Sequence, residues 1–512
     1  MTASNSVDFQ GEPIGRENLL ETVAGVKHEG VYLLGIFAID NGDGSFEIKY
    51  FFGPEKNSST VKALSILASI DFPSISGIMP AAKIYEREIM DMFGLFPLNH
   101  PDLKPLMLFP ENWDGTVHPL KKDWDKTIPE FKKYGEYPYK KAHGNGVFEI
   151  PVGPVHAGII EPGHFRFSMR GEPVLQLEIR HFWKHRGIEK LCEGKTVSEA
   201  LKIVSRISGD NSAGISLAYL EASEKILGIE IPIRAKFIRV ILAEIERLWN
   251  HVRDIGYIFM DMGYTPKAQA MFVLEEDILR LNKFVASHRY MFDALQLGGV
   301  ASASDIDINK TGAIRGVLKS AGEKLKKAEW YILNSPSVTD RIELAGKINK
   351  KTAEELSLCG ICARASGLRR DSRIEMPYLL YGETVQVSQK TFEEGDILAR
   401  TRIRIMEAFE SINIIQNLLA WLPESGEDLI PKDCAEGVPV SSGWAIGNTE
   451  TPRGNAFFYI KTGEDGNIER LKYIDPSFRN WPSIQYGILG GIIADFPLVN
   501  KSMNLSYAGN DL

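Results

Sequence analysis

Between Ile238 and Ile255 the apolar residues fall at Ile238, Ile241, Ile245, Leu248, Val252 and Ile255, in steps of three and four. Only a helix gathers that spacing onto one face, so a long helix buried along one side is predicted here. Pro232 stands ahead of it, where a missing N–H is harmless, and Gly256 is expected to end it. A second series, Ile405, Phe409, Ile412, Ile415, Leu419 and Leu422, is stopped by Pro423. Further helices are expected at 279–284 and 314–325. Several helices of this kind demand a mainly helical core beyond about residue 149.

The rest of the chain decorates that core. Residues 438–475 return to strand-like alternation around the turn Gly463-Glu464-Asp465-Gly466. The first 125 residues read as α+β. Segments 31–39 and 46–52 flank Asn41-Gly42-Asp43-Gly44, which predicts a hairpin; 61–70 reads as a short amphipathic helix. A Pro-punctuated, aromatic-rich stretch runs from Glu86 to Trp124. Between 126 and 148, Lys126, Lys132, Lys133, Lys140 and Lys141 alternate with Pro, Tyr and Gly, the pattern of a linker. The expected organisation is an α+β N-terminal domain (1–125), a linker (126–148), and a large, mainly α-helical domain with β decoration (149–512).

Charge and hydropathy exclude several functions. With 59 Lys plus Arg against 67 Asp plus Glu, the net charge is −8, which gives no basic field for nucleic acid. No apolar run approaches the roughly 18 residues of a spanning helix, so no transmembrane segment of its own is expected. The polar stretch Met1 to Gln10 lacks a signal-peptide core, which points to the cytoplasm. Four cysteines (Cys192, Cys359, Cys362 and Cys434) are too few for a disulfide scaffold and fit a reducing compartment.

Short motifs carry little alone. Gly194-Lys195-Thr196 follows Gly187 by too many residues for a phosphate loop. His156, His164, His181 and His185 cluster in sequence, but no third ligand or flanking Glu makes a zinc site of His181 and His185, and satisfied or interface histidines are expected. Cys359-Gly360-Ile361-Cys362 is open to a redox, metal or packing role.

Longer blocks change this reading. Tyr85-Glu-Arg-Glu-Ile-Met-Asp-Met-Phe-Gly94, His100-Pro-Asp-Leu103 and Pro119-Leu-Lys-Lys-Asp123 resemble the 30 kDa-type subunit of complex I. Pro151-Val-Gly-Pro-Val-His156-Ala-Gly, Glu161-Pro-Gly-His-Phe-Arg-Phe167, His185-Arg-Gly-Ile-Glu-Lys190 and Glu246-Arg-Leu-Trp-Asn-His251 look like the 49 kDa type. So do Arg364-Ala-Ser-Gly367, Asp475-Pro-Ser-Phe-Arg-Asn-Trp481 and Ala494-Asp-Phe-Pro497. The match is better still to the large subunit of group 4, energy-converting [NiFe]-hydrogenases of the formate-hydrogenlyase type, in which both parts are fused.

The resemblance implies a metal site and also its loss. In those hydrogenases two Cys-x-x-Cys pairs hold nickel and iron, because thiolates are soft, anionic and able to bridge. Here Ser208 and Asn211 stand at the first pair, Ser506 and Gly509 at the second, so no metal is expected on this chain. Cys359 and Cys362 fall where relatives carry small or apolar residues, which implies packing. His156 matches the histidine near the quinone headgroup in complex I, and its usual tyrosine partner aligns close to Gly209. His185 and Arg186 face the neighbouring subunit's cluster in the family, with Glu189 as a buried partner in the alternative reading of Arg186. The resemblance implies a peripheral subunit on the cytoplasmic face of the cell membrane. It would dock on a small iron–sulfur subunit of the complex I 20 kDa type, beside antiporter-like and other membrane subunits. It would line a metal-free acceptor pocket for a quinone or another small molecule with His156, Ser208, Asn211, Ser506 and Gly509. The alternative is a structural coupling subunit without an acceptor site.

Overall fold

The computed structural model describes residues 9–55, 58–128, 130, 132–156, 160–424, 428–431, 434 and 437–512. Residues 1–8 of the polar N-terminal stretch and residues 157–158 of the His156 motif lie outside the described residues.

Strands β1 (Phe9–Pro13), β2 (Leu33–Asp40), β3 (Phe46–Phe52) and β4 (Val61–Ala68) form one sheet in the order β1-β4-β3-β2. β1 runs parallel to β4, and the other pairs are antiparallel. β2 and β3 make the predicted hairpin: Asn41 N–H donates to Ser45 O (3.1 Å), and Gly42 and Gly44 take positive φ of 84° and 86°. β4 corrects the helix expected at 61–70. Val61, Ala63 and Ser65 are buried while Lys62 and Leu64 are less so, a period of two that pairing with β3 selects. Helix α1 (Leu19–His28) shares this core. Helix α2 (Ala82–Phe93) opens the stretch that reads from sequence only as Pro-punctuated. Its Asp91 Oδ2 accepts from the N–H groups of Leu106, Met107 and Leu108 at 2.8, 2.7 and 3.0 Å, which fixes the loop beyond it.

Among the described linker residues no helix or strand forms before β5 (Val147–Val152), which joins β6 (His164–Arg170) and β7 (Val174–Arg180) in an antiparallel sheet. Tyr137 is nonetheless buried, its ring 4.1 Å from the Arg180 guanidinium carbon.

The helical domain follows: α3 (Val197–Val204), α4 (Ser212–Leu227), α5 (Ile233–Asp261), α6 (Thr265–Ala286), α7 (Ile308–Asn334) and α8 (Ile397–Trp421). Thr196 and Glu199 close a reciprocal capping box on α3, and Asp307 and Asp396 cap α7 and α8. α5 runs through Gly256 rather than ending there. A Cβ at Gly256 would lie 2.7 Å from the Phe272 ring of α6, so this glycine serves helix crossing instead of termination.

An antiparallel meander, β8 (Gly443–Thr451), β9 (Gly454–Thr462) and β10 (Ile468–Ile474), lies against α4. Helices α9 (Pro476–Gly487), α10 (Phe496–Met503) and α11 (Tyr507–Asp511) complete the chain. The N-terminal sheet does not close a core alone. Phe37 and Phe51 meet Tyr459 and Phe457 at centroid distances of 4.9 and 5.3 Å, and Tyr85 meets Phe478 at 5.1 Å. Lys472, buried between the two parts, is paired with Glu88 and, at 3.0 Å, with Glu189. Among the described residues no helix is long and apolar enough to cross a membrane.

Candidate functional site

The 208–214 segment is held from behind by α5. Glu246 accepts from the N–H groups of Ala213 and Gly214, each at 2.8 Å, and Asn250 Nδ2 donates to Asp210 O at 2.7 Å. His251, one residue on, contacts Glu407 at 3.1 Å. The Glu246-to-His251 block is therefore a scaffold of inward polar groups along one helix. Burial pushes the Glu246 carboxyl up to about 8 against its two N–H donors.

Ser208 precedes α4, and Ser506 caps α11. Their hydroxyls lie 3.2 Å apart across 298 residues of sequence, and Ser506 Oγ also accepts the Gly509 N–H at 2.9 Å. Three of the predicted pocket residues thus meet directly. Asn211 sits on the same turn, its N–H donating to Ser208 O (3.1 Å); its buried Oδ1 has no hydrogen-bond partner.

Ser208 and Ser506 line an open cleft of about 280 Å³ with Asp210, Arg253, Arg453 and Lys501 among its walls. Asp210 organises it. Its Oδ2 lies 2.9 Å from Arg253 Nη2 and 2.5 Å from Arg453 Nη2, while Ser208 donates to Oδ1. Burial would raise the Asp210 carboxyl, but the two guanidinium groups hold it far below the usual carboxylate range. Asn211 and Gly509 are buried behind the cleft rather than lining it.

His156 is placed apart from these walls. Its Nε2 meets Gly163 O at 2.7 Å, and its ring packs 5.8 Å from Phe165. His185 Nδ1 meets Asp511 O at 2.6 Å, and burial lowers its pKa. Arg186 is exposed and donates to the carbonyls of Ile207 (2.8 Å) and Ala508 (3.0 Å). The alternative partner is not there: Glu189 pairs with Arg470 and Lys472. Cys359 and Cys362 are buried outside the cleft. Cys359 packs against Gly454 and Asn480, and burial pushes its thiol up to about 11.

His156, His164 and His185 each meet a backbone carbonyl, although His164 Nε2 is buried without a partner. His181 does not. Both its nitrogens are buried without a partner, its ring lies 4.1 Å from Trp481, and burial pushes its pKa to about 3. The unfolded imidazole takes a proton below about 6.5 while the folded one refuses it down to about 3, so stability is lost as pH falls through that window. His181→Phe is expected to remove this acid sensitivity and to stabilise the fold at pH 5. Identical unfolding midpoints for both proteins between pH 7 and pH 5 would contradict it.

Sequence reasoning missed Asp210, Arg253, Arg453 and Lys501. Asp210 lay inside the 208–211 segment already singled out. Arg453 sits in the Pro452-Arg453-Gly454 turn between β8 and β9, a tight turn within the 438–475 stretch that reads from sequence only as strand-like alternation.

Comparison with known proteins matches both parts of the chain. The family model of the 30 kDa subunit of respiratory-chain NADH dehydrogenase matches residues 13–130, and that of the 49 kDa subunit matches residues 261–511. Hydrogenase-4 component G of Escherichia coli (strain K12) is 30% identical over 466 residues, covering 90% of this chain and 79% of that protein. Formate hydrogenlyase subunit 5 of the same organism is 29% identical over 504 residues, covering 94% and 85%. A chain from the solved structure of the membrane-bound sulfane sulfur reductase, an archaeal respiratory membrane complex, superposes with a TM-score of 0.67 at 25% identity. That alignment covers 72% of this chain and 99% of the other.

Proposed function

Since the chain belongs to the family of complex I- and hydrogenase-related large subunits that fuse a 30 kDa-like to a 49 kDa-like part, we propose that its cleft receives an electron acceptor without a nickel–iron centre. The chain then acts as the peripheral electron-transfer subunit of a membrane-bound oxidoreductase complex. The observation that carries this reading is the Ser208–Ser506 hydroxyl pair on the wall of an open, charged cleft. A site with no role would be free to close with apolar residues.

The donor set does not fit nickel and iron. Ser208 and Ser506 are neutral hydroxyls bonded to each other and to Asp210 and the Gly509 N–H; Asn211 supplies an amide and Gly509 no side chain. None is a soft bridging anion. Electrons come from an iron–sulfur cluster in a small partner subunit seated by the exposed Arg186 face. Antiporter-like and other membrane subunits complete the assembly at the cytoplasmic face of the membrane. Within the cleft, the Arg253 and Arg453 guanidinium groups offset negative charge as it develops on the acceptor, and Ser208 and Ser506 orient it. A quinone is one acceptor class, alongside other small molecules; His156, engaged with Gly163 O away from the cleft walls, would not bond it there.

A structural coupling subunit without an acceptor site is the second reading. Its support is the tight packing at Gly509, where a Cβ would lie 2.3 Å from the Asp475 carboxylate. Turnover of the intact complex with quinones, protons and sulfur compounds identifies the acceptor, and Ala508→Phe separates the readings. A phenyl ring in the cleft wall is expected to lower that turnover at least tenfold in an assembled complex. Unchanged turnover would support coupling alone, and stoichiometric nickel in the purified complex would overturn the metal-free reading.

A further inference from the structure

The cleft holds cationic N–H groups in excess of their acceptors. Asp210 is fully used: Oδ1 takes Ser208 and Arg453 Nη1 (3.3 Å), and Oδ2 takes Arg253 and Arg453 Nη2. Arg453 Nε is spent on Asn504 O at 2.6 Å. Arg253 Nε, by contrast, is buried with no hydrogen-bond acceptor, its nearest carboxylate oxygen being Asp254 Oδ1 at 3.6 Å. That nitrogen is closed off from the cleft by the atoms around it, so the neighbouring Asp254 carboxylate, and not a molecule entering from solvent, offsets it.

Lys501 is the cation that the cleft itself leaves open. It projects from α10 into the same cleft, with Nζ 4.5 Å from the centroid of the Tyr257 ring. Among the described residues no carboxylate lies within ion-pair distance of it. Burial, with Arg253 and Arg453 nearby, lowers its pKa, while Asp261 and Asp254 act the other way. Asp254 is itself bonded to Arg404 and Asn504. Glu161, the other acid in the cleft wall, accepts the Ala508 N–H at 2.9 Å. These acids offset the long-range field, so recognition here works through donors at contact distance.

The walls also say what does not fit. Ser208, Asp210, Arg253, Arg453, Lys501 and Ser506 present charge and hydroxyls, whereas a neutral ring with a long apolar tail needs apolar walls. A volume of about 280 Å³ lies near the lower end for ligand pockets and admits a small anion together with part of its hydration shell. We propose that the cleft binds one small inorganic anion of sulfate or thiosulfate size, held by Lys501 Nζ and the Arg253 and Arg453 guanidinium groups. This names the acceptor class for the site of the preceding section and rests on that reading: thiosulfate would take two electrons from the partner subunit's cluster and two protons from solvent, its S–S bond breaking to give sulfite and hydrogen sulfide.

The test is isothermal titration of the full-length chain with sodium thiosulfate at constant ionic strength. One equivalent is expected to bind. Lys501→Met is expected to weaken binding at least tenfold and Lys501→Arg to restore most of it, while dimethyl sulfone, a neutral molecule of similar size, does not bind. Absence of thiosulfate binding, or equal binding by Lys501→Met, would overturn the assignment. Turnover of the Ala508→Phe complex separates the two claims. Lost turnover without thiosulfate binding keeps the acceptor site and overturns the anion. Lysine-dependent binding with unchanged turnover keeps the anion and overturns the acceptor reading.

Discussion

Replacing Arg364 by methionine is expected to cost about 3–5 kcal/mol of folding stability. The side chain is fully buried, with Nη2 2.8 Å from Glu407 Oε1 and Nη1 2.6 Å from Glu450 Oε1, and Nη1 also donates to Arg370 O at 2.8 Å. Glu407 is the residue that contacts His251, and Glu450 accepts the Ser372 N–H at 3.1 Å. Methionine fills much of the volume but leaves two carboxylates in the core without their cation. The penalty is their stranded charge more than the lost attraction, so a second change, Glu407→Gln, should recover part of it. Arg364→Lys should recover little, because an ammonium cannot span two carboxylates and a carbonyl as the planar fork does. Urea unfolding of the three variants against the parent chain reads this directly, and a loss below about 1 kcal/mol for Arg364→Met would contradict the argument.

Asp210→Asn is the second large effect, again about 3–5 kcal/mol. It removes the charge that holds Arg253, Arg453 and the Ser208 hydroxyl together, and it turns an amide N–H₂ toward guanidinium groups that can only donate. The Asp210 carboxyl sits far below its ordinary pKa, so its contribution is present above about pH 4 and fades as pH falls below that value. Arg453→Met added to Asp210→Asn should cost less than the sum of the two single changes, since each breaks the same Asp210–Arg453 pair. Strict additivity in urea unfolding would show that the two do not share one network.

The long helices were legible because their apolar steps of three and four admit no other regular structure, and the 41–44 turn because its glycines supply positive φ. The 61–70 error has a definite origin. Val61, Ala63 and Ser65 alternate, but β4 gains its hydrogen bonds from partners elsewhere in the chain, and local propensity does not register them. Gly256 misled because a glycine that ends a helix and one that lets a neighbour approach look alike in sequence. At the site, Ser208, Ser506 and Gly509 were reached through the resemblance alone; no periodicity joins residues 298 apart. Asp210, Arg253, Arg453 and Lys501 come from four elements, and what makes them a site is the order in which they satisfy one another.

The core shared by the N-terminal sheet and the β8–β10 meander bears on the order of synthesis. Phe37, Phe51 and Tyr85 are made early, and the rings that cover them, Phe457, Tyr459 and Phe478, arrive near the end. About 350 residues separate α2 from β8, roughly 20–70 s of translation at 5–20 residues per second. Through that interval an aromatic face waits uncovered, a hazard for aggregation and a natural client for a chaperone. Carrying both surfaces on one polypeptide then has a kinetic use: the late sheet reaches the waiting face at tether-limited concentration, of order millimolar, with no search among free subunits.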